Sequence, residues 1–373
     1  MKKKIVFIVE ALGGGVRRHL LDLLDNLDTN NYNIHVIYGT RTDDVFVKNI
    51  EKLKNKGIGF YQITSMQREI SFNQDFKSFK SIYKILKGLK PDIVHCHSSK
   101  AGAIGRLCAK ILKIKQIYYT PHAYAFMDPS ISRFKYFMYI YIEKVLSKVT
   151  TKVIHVSKGE EEEAIQRRIL MPNKSMVVFN GLSIEGELSN NVKKGENFII
   201  GTVARMDDQK NPMEFVKIAE RVISKNRAVK FVYVGDGIKF REIQQYVNES
   251  DFKENIILLG FHNNPFKILG TFDVFLTTSL YEGLPYSLIE ALASKLPIVA
   301  TNVTGNNEVV DNNNNGYLYR QGDIEEAAKL IESLIKDNMK LNEFALNSYK
   351  FYSSQFLLDK MMNSYDLIYN GTT

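Results

Sequence analysis

The sequence predicts an α/β chain of two doubly wound domains, and three observations carry that prediction. At 373 residues the chain is too long for one ordinary core and suits two domains of about 180 residues. Short apolar runs alternate with longer amphipathic ones, the pattern of a parallel sheet covered by helices on both faces. The alternation stops at a Gly- and Asn-rich polar stretch, Asn180 to Asn197, and then restarts.

In the first half "KIVFIV", "NIHVIY", "DIVHCH", "QIYYT" and "KVIHVS" read as buried strands, with "VRRHLLDLLDNL" and "SFKSIYKILKGL" as helices between them. In the second half "FIIGTVA", "VKFVYVG", "NIILLG", "DVFLTT" and "PIVAT" are strands, and "NPMEFVKIAERVIS" is a helix. "NNNNG" at 312–316 reads as a turn. The boundary falls near residue 185, giving domains 1–184 and 185–352 and a closing segment 353–373.

A hydrophobic content of 45% with 24% charged residues fits a soluble globular chain. The longest apolar runs, such as "FMYIYI" at 137–142, fall far short of the roughly 20 residues of a membrane span. The opening "MKKKIVFIVEALGGG" superficially resembles a signal peptide, but Glu10 and the glycines interrupt it, so it reads as a first strand. Cys96 and Cys108 form no CxxC pair and no disulfide framework, which points to a reducing cytoplasm.

The net charge of +9 is uneven: residues 1–190 hold 30 Lys and Arg against 18 Asp and Glu, and the remainder 20 against 23. A basic first half suits an anionic partner, either a membrane surface or a phosphate-bearing substrate, with solvated helix faces as the plain alternative. The basic residues are scattered and no nucleic-acid signature accompanies them, so no nucleic-acid partner is expected.

Ligands of open parallel sheets bind beyond the carboxyl ends of the strands, and two such domains facing each other leave a cleft between them. The segments after the strands therefore hold the candidates. "ALGGGVRRHLLDLL" supplies a Gly-rich turn and a helix start suited to anions. The dinucleotide fingerprint is not met, because Arg18 stands where its last glycine belongs, and "NIHVIYGT" lacks the acidic residue of an NAD site. In "HCHSSKAGAIGRL" strand alternation sends His95 and His97 to one face and Cys96 to the other, which suits packed or hydrogen-bonded histidines better than a metal site. Ser98 and Ser99 are placed to cap the next helix or to meet a substrate. Pro121 restricts the chain before His122 and fixes that side chain at a strand mouth.

In "FIIGTVARMDDQKNP" Arg205 and Lys210 can converge on a diphosphate, one as a fork and the other as a point charge. The competing arrangement pairs them with Asp207 and Asp208. "YVGDGIKF" adds another Gly-rich turn, weak evidence alone. In "SLYEGLPYSLIEALAS" Glu282 lies in a loop and Glu290 about one and a half turns into a helix that starts near Pro285. They read as two separate acceptors for hydroxyls rather than a dyad sharing a proton, with the amides of Gly283 and Leu284 beside them.

Taken in order, Gly13 to Gly15, His122, the R-x4-K of Arg205 and Lys210, and the E-x7-E of Glu282 and Glu290 followed by "LPIVAT" resemble the retaining glycosyltransferases of family 4, over essentially the whole chain. The resemblance implies the GT-B fold, two Rossmann-like domains with a final helix, here "FLLDKMMNSYDLIYN", crossing back to the first. It implies a nucleotide-sugar donor, UDP favoured over GDP, and no cofactor or metal. Arg205 and Lys210 match the pair that binds the donor diphosphate and stabilises the departing charge. Glu290 matches the ribose carboxylate, and Glu282 the one holding the transferred sugar, with Gly283 and Leu284. His122 matches the histidine beside the donor sugar, and Gly14 and Gly15 the loop near the phosphates when the domains close. No protein nucleophile is assigned in the family.

Arg17 departs from the glutamate many members carry, which suits an anionic acceptor; with His97, Ser98 and Ser99 it makes the acceptor-side set. "HCHSSKAGAIGRL" looks like bacterial enzymes that build capsular, exopolysaccharide or lipopolysaccharide units on a polyprenyl diphosphate. That fits peripheral contact with the inner face of the cell membrane. For "SRFKYFMYIYIEKVLSK" packing in the first domain is the first expectation and membrane contact the second. The competing functions are a non-hydrolysing UDP-sugar 2-epimerase and a catalytically silent sugar-nucleotide or membrane-binding protein.

Overall fold

The computed structural model describes residues 2–67, 69–184, 197–262 and 266–371. The chain divides into two compact units, Met1–Asn180 with Leu358–Thr373, and Gly181–Leu357. Residues 185–196, most of the polar stretch between the halves, lie outside the described residues.

The first unit holds a seven-stranded sheet of β1 (Lys3–Leu12), β2 (Tyr32–Thr42), β3 (Gly59–Gln62), β4 (Ile93–His97), β5 (Gln116–Thr120), β6 (Lys152–His155) and β7 (Ser175–Val177). All neighbours are parallel and the order is β3-β2-β1-β4-β5-β6-β7. The second holds β8 (Phe198–Val203), β9 (Val229–Val234), β10 (Ile256–Gly260), β11 (Val274–Thr277), β12 (Ile298–Thr301) and β13 (Gly316–Tyr319), in the order β10-β9-β8-β11-β12-β13, again parallel. This is the doubly wound α/β fold the sequence predicts, twice over. Each unit winds outward in both directions from its first strand, so the switch points lie between β1 and β4 and between β8 and β11.

Burial of both sheet faces explains the unbroken apolar runs. In β1 the period of two sends Ile5, Phe7 and Val9 into one core and Val6 and Ile8 into the other, all with no exposure. The helix Leu358–Asn370 belongs to the first of these cores, where Met361, Met362, Tyr365, Ile368 and Tyr369 cover β1 and its neighbours. Each such side chain contributes about 2 kcal/mol by removal from water, so the return of the chain end to the first unit is anchored hydrophobically. Among the described residues no helix is long and apolar enough to cross a membrane.

Candidate active site

In the second unit two loops meet at the switch point. After β8 the chain turns through Asp207, whose carboxylate caps the short turn Asp208–Lys210 by accepting from the Lys210 amide at 3.2 Å. Lys210 is thereby aimed at the loop after β11, where its ammonium forms an ion pair with Glu282. Both side chains are largely buried, 14% and 7% exposed, so contact with the other offsets the water each one loses. The backbones are laced as well: the Leu280 amide donates to the Gln209 carbonyl (2.8 Å), and the Thr278 hydroxyl to the Lys210 and Asn211 carbonyls (2.8 and 3.0 Å). Gln209, which the sequence reading passed over, donates to the Tyr281 carbonyl at 3.0 Å.

The competing arrangement of these charges is present in part. Arg205 pairs with Asp207 at 3.0 Å and Lys239 with Asp208 at 2.8 Å, whereas Lys210 reaches 72 residues along the chain to Glu282. The Arg205 side chain stays half exposed and is therefore able to meet an incoming anion.

The glycine turn after β9 proves to be part of this loop's support. A side chain at Gly235 (φ +144°) would bring its Cβ to 1.8 Å from the Ala204 carbonyl oxygen; the Met206 amide donates to the Asp236 carbonyl at 3.0 Å and the Lys239 amide to that of Met206 at 2.9 Å. Gly305 (φ +85°) plays the same part for the other loop, because its Cβ would stand 2.4 Å from the Gly283 carbonyl oxygen. Both positions require the left-handed backbone that glycine allows without cost.

Pro285 occupies the position before the helix Tyr286–Ala293, and Glu290, 9% exposed, is the fifth helical residue. Gly283 and Leu284 bridge the two carboxylates along the chain. Glu282 is engaged with Lys210 in a loop while Glu290 sits on a helix, so they occupy distinct positions around one strand end.

In the first unit the strand ends carry a cluster of imidazoles. The His95 and His97 rings, on one face of β4, lie 4.2 Å apart, while Cys96 joins the opposite core. His97 Nδ1 meets His122 Nε2 at 2.9 Å with the rings stacked. His19 packs edge-on against His122, centroids 4.8 Å apart, and was missed in the sequence because it sits inside an ordinary amphipathic helix, Gly14–Asn26. Its Nδ1 meets Asn180 Oδ1 at 2.9 Å and its Nε2 the Tyr365 hydroxyl at 3.1 Å. His95 is held between the Tyr369 hydroxyl (2.7 Å) and the Thr120 hydroxyl (2.9 Å). Tyr365 and Tyr369, four residues apart on the returning helix, thus insert two hydroxyls among the histidines.

Burial keeps these rings neutral. Desolvation pushes His19 down to about 4 and His95, His97 and His122 well below the usual imidazole range. His19, His97 and His122 are the one group of three metal-ligating side chains found close together among the described residues, with ligand atoms within 4.8 Å of one another. Their hydrogen bonds engage both nitrogens of His19 and the facing pair of His97 and His122.

The backbone around it is strained. Ser98 (φ +66°, ψ 164°), His122 (φ +57°) and Ala123 (φ +76°) all lie in regions that side chains disfavour. Ser98 precedes the helix Ser99–Ile111 without a side-chain cap bond, contrary to the capping expectation. His97, expected on the acceptor side, has no exposed surface and packs against His122. Gly14 (φ +58°) and Gly15 open the helix Gly14–Asn26, and Arg17 forms an ion pair with Asp43, which also caps the helix Asp44–Asn55. The Arg17 charge is therefore partly neutralised from within.

Comparison with known proteins agrees with this layout. The model for "Glycosyltransferase Family 4" matches residues 13–185 and that for "Glycosyl transferases group 1" residues 184–351. The chain is 31% identical to the UDP-Gal:alpha-D-GlcNAc-diphosphoundecaprenol alpha-1,3-galactosyltransferase of Escherichia coli, over 89% of this chain and 87% of that one. The chain belongs to the family-4 glycosyltransferases. It is 27% identical to the capsular polysaccharide biosynthesis glycosyltransferase CapM of Staphylococcus aureus, over 86% of this chain and 87% of the relative. Among solved structures, Anabaena HepE in complex with UDP superposes with a TM-score of 0.80 over the full length of both chains at 19% identity, a likeness of fold. The glycosyltransferase thus has the GT-B fold.

Proposed function

We propose that this glycosyltransferase moves a sugar, with retention of anomeric configuration, from a UDP-sugar to a glycan or polyprenyl-diphosphate-linked acceptor in bacterial surface polysaccharide synthesis. The observation that carries the reading is the buried Lys210–Glu282 pair between two strand ends. An ammonium has three donors, so Lys210 can hold Glu282 and a donor phosphate together, while Arg205 adds a fork to the diphosphate. Their charge stabilises the departing nucleoside diphosphate as the glycosidic bond breaks, with no metal required for that step. Glu282 accepts from hydroxyls of the transferred sugar and Glu290 from those of the ribose. His122 lines the sugar from the first domain, with Gly14 and Gly15 near the phosphates. The leaving phosphate takes the acceptor proton on the same face, and no protein nucleophile takes part. Arg17, Ser98 and Ser99 belong to the acceptor side.

The names of the relatives support the donor and acceptor classes, since one uses UDP-Gal on a diphosphoundecaprenol-linked sugar and HepE was solved with UDP. Peripheral membrane contact has support in the outer face of the helix Arg133–Ser147. Its inner residues Leu146 and Glu143 are buried, while Phe134, Phe137 and Tyr141 are exposed beside Lys135 and Lys144. The expectation of packing describes its inner face, and the exposed aromatic and basic residues support the proposed contact of the outer one.

The test is transfer from a panel of UDP- and GDP-sugars to synthetic polyprenyl-diphosphate sugars, in the presence of chelator, with the anomer of the product read by NMR. Transfer from a UDP-sugar giving the retained anomer supports the proposal. An inverted product, strict dependence on divalent metal, or conversion of the donor without acceptor each removes a part of it. Flotation with anionic vesicles should occur at low salt and weaken at high salt; salt-independent behaviour removes the membrane contact.

A further inference from the structure

We propose that His97 is a positioning residue that fixes the tautomer of His122, so that His122 presents its Nδ1–H as a hydrogen-bond donor to an oxygen of the donor sugar or its phosphate. This rests on the reading that places His122 beside the donor. The contact between His97 Nδ1 and His122 Nε2, 2.9 Å, holds one proton when both rings are neutral. Desolvation keeps both neutral, and the groups facing them are themselves uncharged: His19, His95 and each other.

Two arrangements are then available. In one, His97 donates from Nδ1, its Nε2 is a bare lone pair, and the His122 proton resides on Nδ1. In the other, His122 donates from Nε2 and the His97 proton moves to its own Nε2. The surroundings of His97 Nε2 decide between them. That atom is buried and has no hydrogen-bond partner among the described residues. A buried N–H without an acceptor is rarer and costlier than an under-satisfied acceptor. The first arrangement therefore holds, and His122 carries its proton on Nδ1.

The neighbours reinforce this state. Asn180 Oδ1 accepts from His19 Nδ1, which leaves His19 Nε2 to accept from the Tyr365 hydroxyl, so His19 has no proton to offer His122. Both His122 and Ala123 have left-handed backbone, a cost that the surrounding structure must offset. His122 then recognises an acceptor atom, and His97, with no exposed surface, acts only through it.

The full-length protein labelled with ¹⁵N in its imidazoles, observed by long-range ¹H–¹⁵N correlation at neutral pH, reads the tautomers directly. The expected spectrum shows both His97 and His122 protonated at Nδ1 and bare at Nε2. A His122 protonated at Nε2, a ring averaging between tautomers, a cationic ring, or a metal-bound pattern overturns the proposal. Turnover gives a second readout. His97→Leu should lower kcat about tenfold or more with a smaller change in donor KM, and His97→Asn, which restores a donor at the Nδ1 position, should recover most of that loss. His97→Asp, which offers an acceptor instead, should not recover it. Equal turnover of the Asn and Asp variants overturns the proposal even if the Leu variant fails to fold. The assigned tautomers in a protein that transfers no sugar from any donor would instead defeat the functional reading alone.

Discussion

The two units place opposite chemistry at equivalent ends of their sheets. Beyond β8 and β11 stands a charged pair, Lys210 with Glu282; beyond β4 and β5 stands a set of neutral imidazoles tied to one another and to two tyrosines. A charged pair can exchange part of its contact for an ionic ligand, so it is suited to bind and to stabilise developing charge. Neutral rings buried among hydroxyls exchange nothing of the kind. They offer fixed directions and fixed protons, which suits recognition of a sugar's shape.

The comparison predicts unequal damage. Lys210→Ala should produce the largest loss, about 10²- to 10³-fold in turnover, as for one charge-stabilising donor; turnover close to wild type with a confirmed acceptor would refute the division of labour. Acid should act next, and on the imidazole unit. His19 has its folded value lowered from 6.5 to about 4, so the unfolded chain binds more protons between those values. Stability is then complete above about 6.5 and is lost as pH falls toward 4, on the order of 3 kcal/mol from this group. Denaturant titrations across that range check it, and a flat profile would show the cluster to be hydrated. Gly305→Ala should cost about 1–3 kcal/mol, because a non-glycine residue must hold φ +85° while its Cβ presses on Gly283. It should also weaken donor binding, and isothermal titration with UDP separates that from lost stability. Smallest is Tyr365→Phe, which removes one neutral hydrogen bond to His19 and should cost about 1 kcal/mol of stability. A much larger effect on turnover than on melting would show that the tyrosine acts on the chemistry.

The fold was legible where strands are long and buried on both faces. "KIVFIV" and "DVFLTT" announce themselves, and both sheets contain them at their centres. Three strands escaped notice: β3 "GFYQ", β7 "SMV" and β13 "GYLY", each three or four residues long and each at a sheet edge. An edge strand has one neighbour and need not be apolar throughout, so its signal is weak. In the site, residues adjacent to strand ends could be named from position and resemblance. The partnerships between them could not, because Lys210 finds Glu282 across 72 residues, and His19 finds Tyr365 across 346. One clue was available for His19: a polar ring in a helix between Gly15 and Leu23, whose i±4 spacing puts all three on one face.

The return of the helix Leu358–Asn370 to the first unit has a consequence in time as well as in space. During synthesis the first 180 residues emerge long before Met361, Met362, Tyr365, Ile368 and Tyr369, which complete their core. The nascent first domain must wait with an open apolar face, and its imidazoles without their tyrosines, until the second unit has been made and the helix Leu358–Asn370 follows it. A chain ended at Leu357 should accordingly bind an apolar dye and resist proteolysis only in its second unit; equal protection of both would show that the first closes without its last helix.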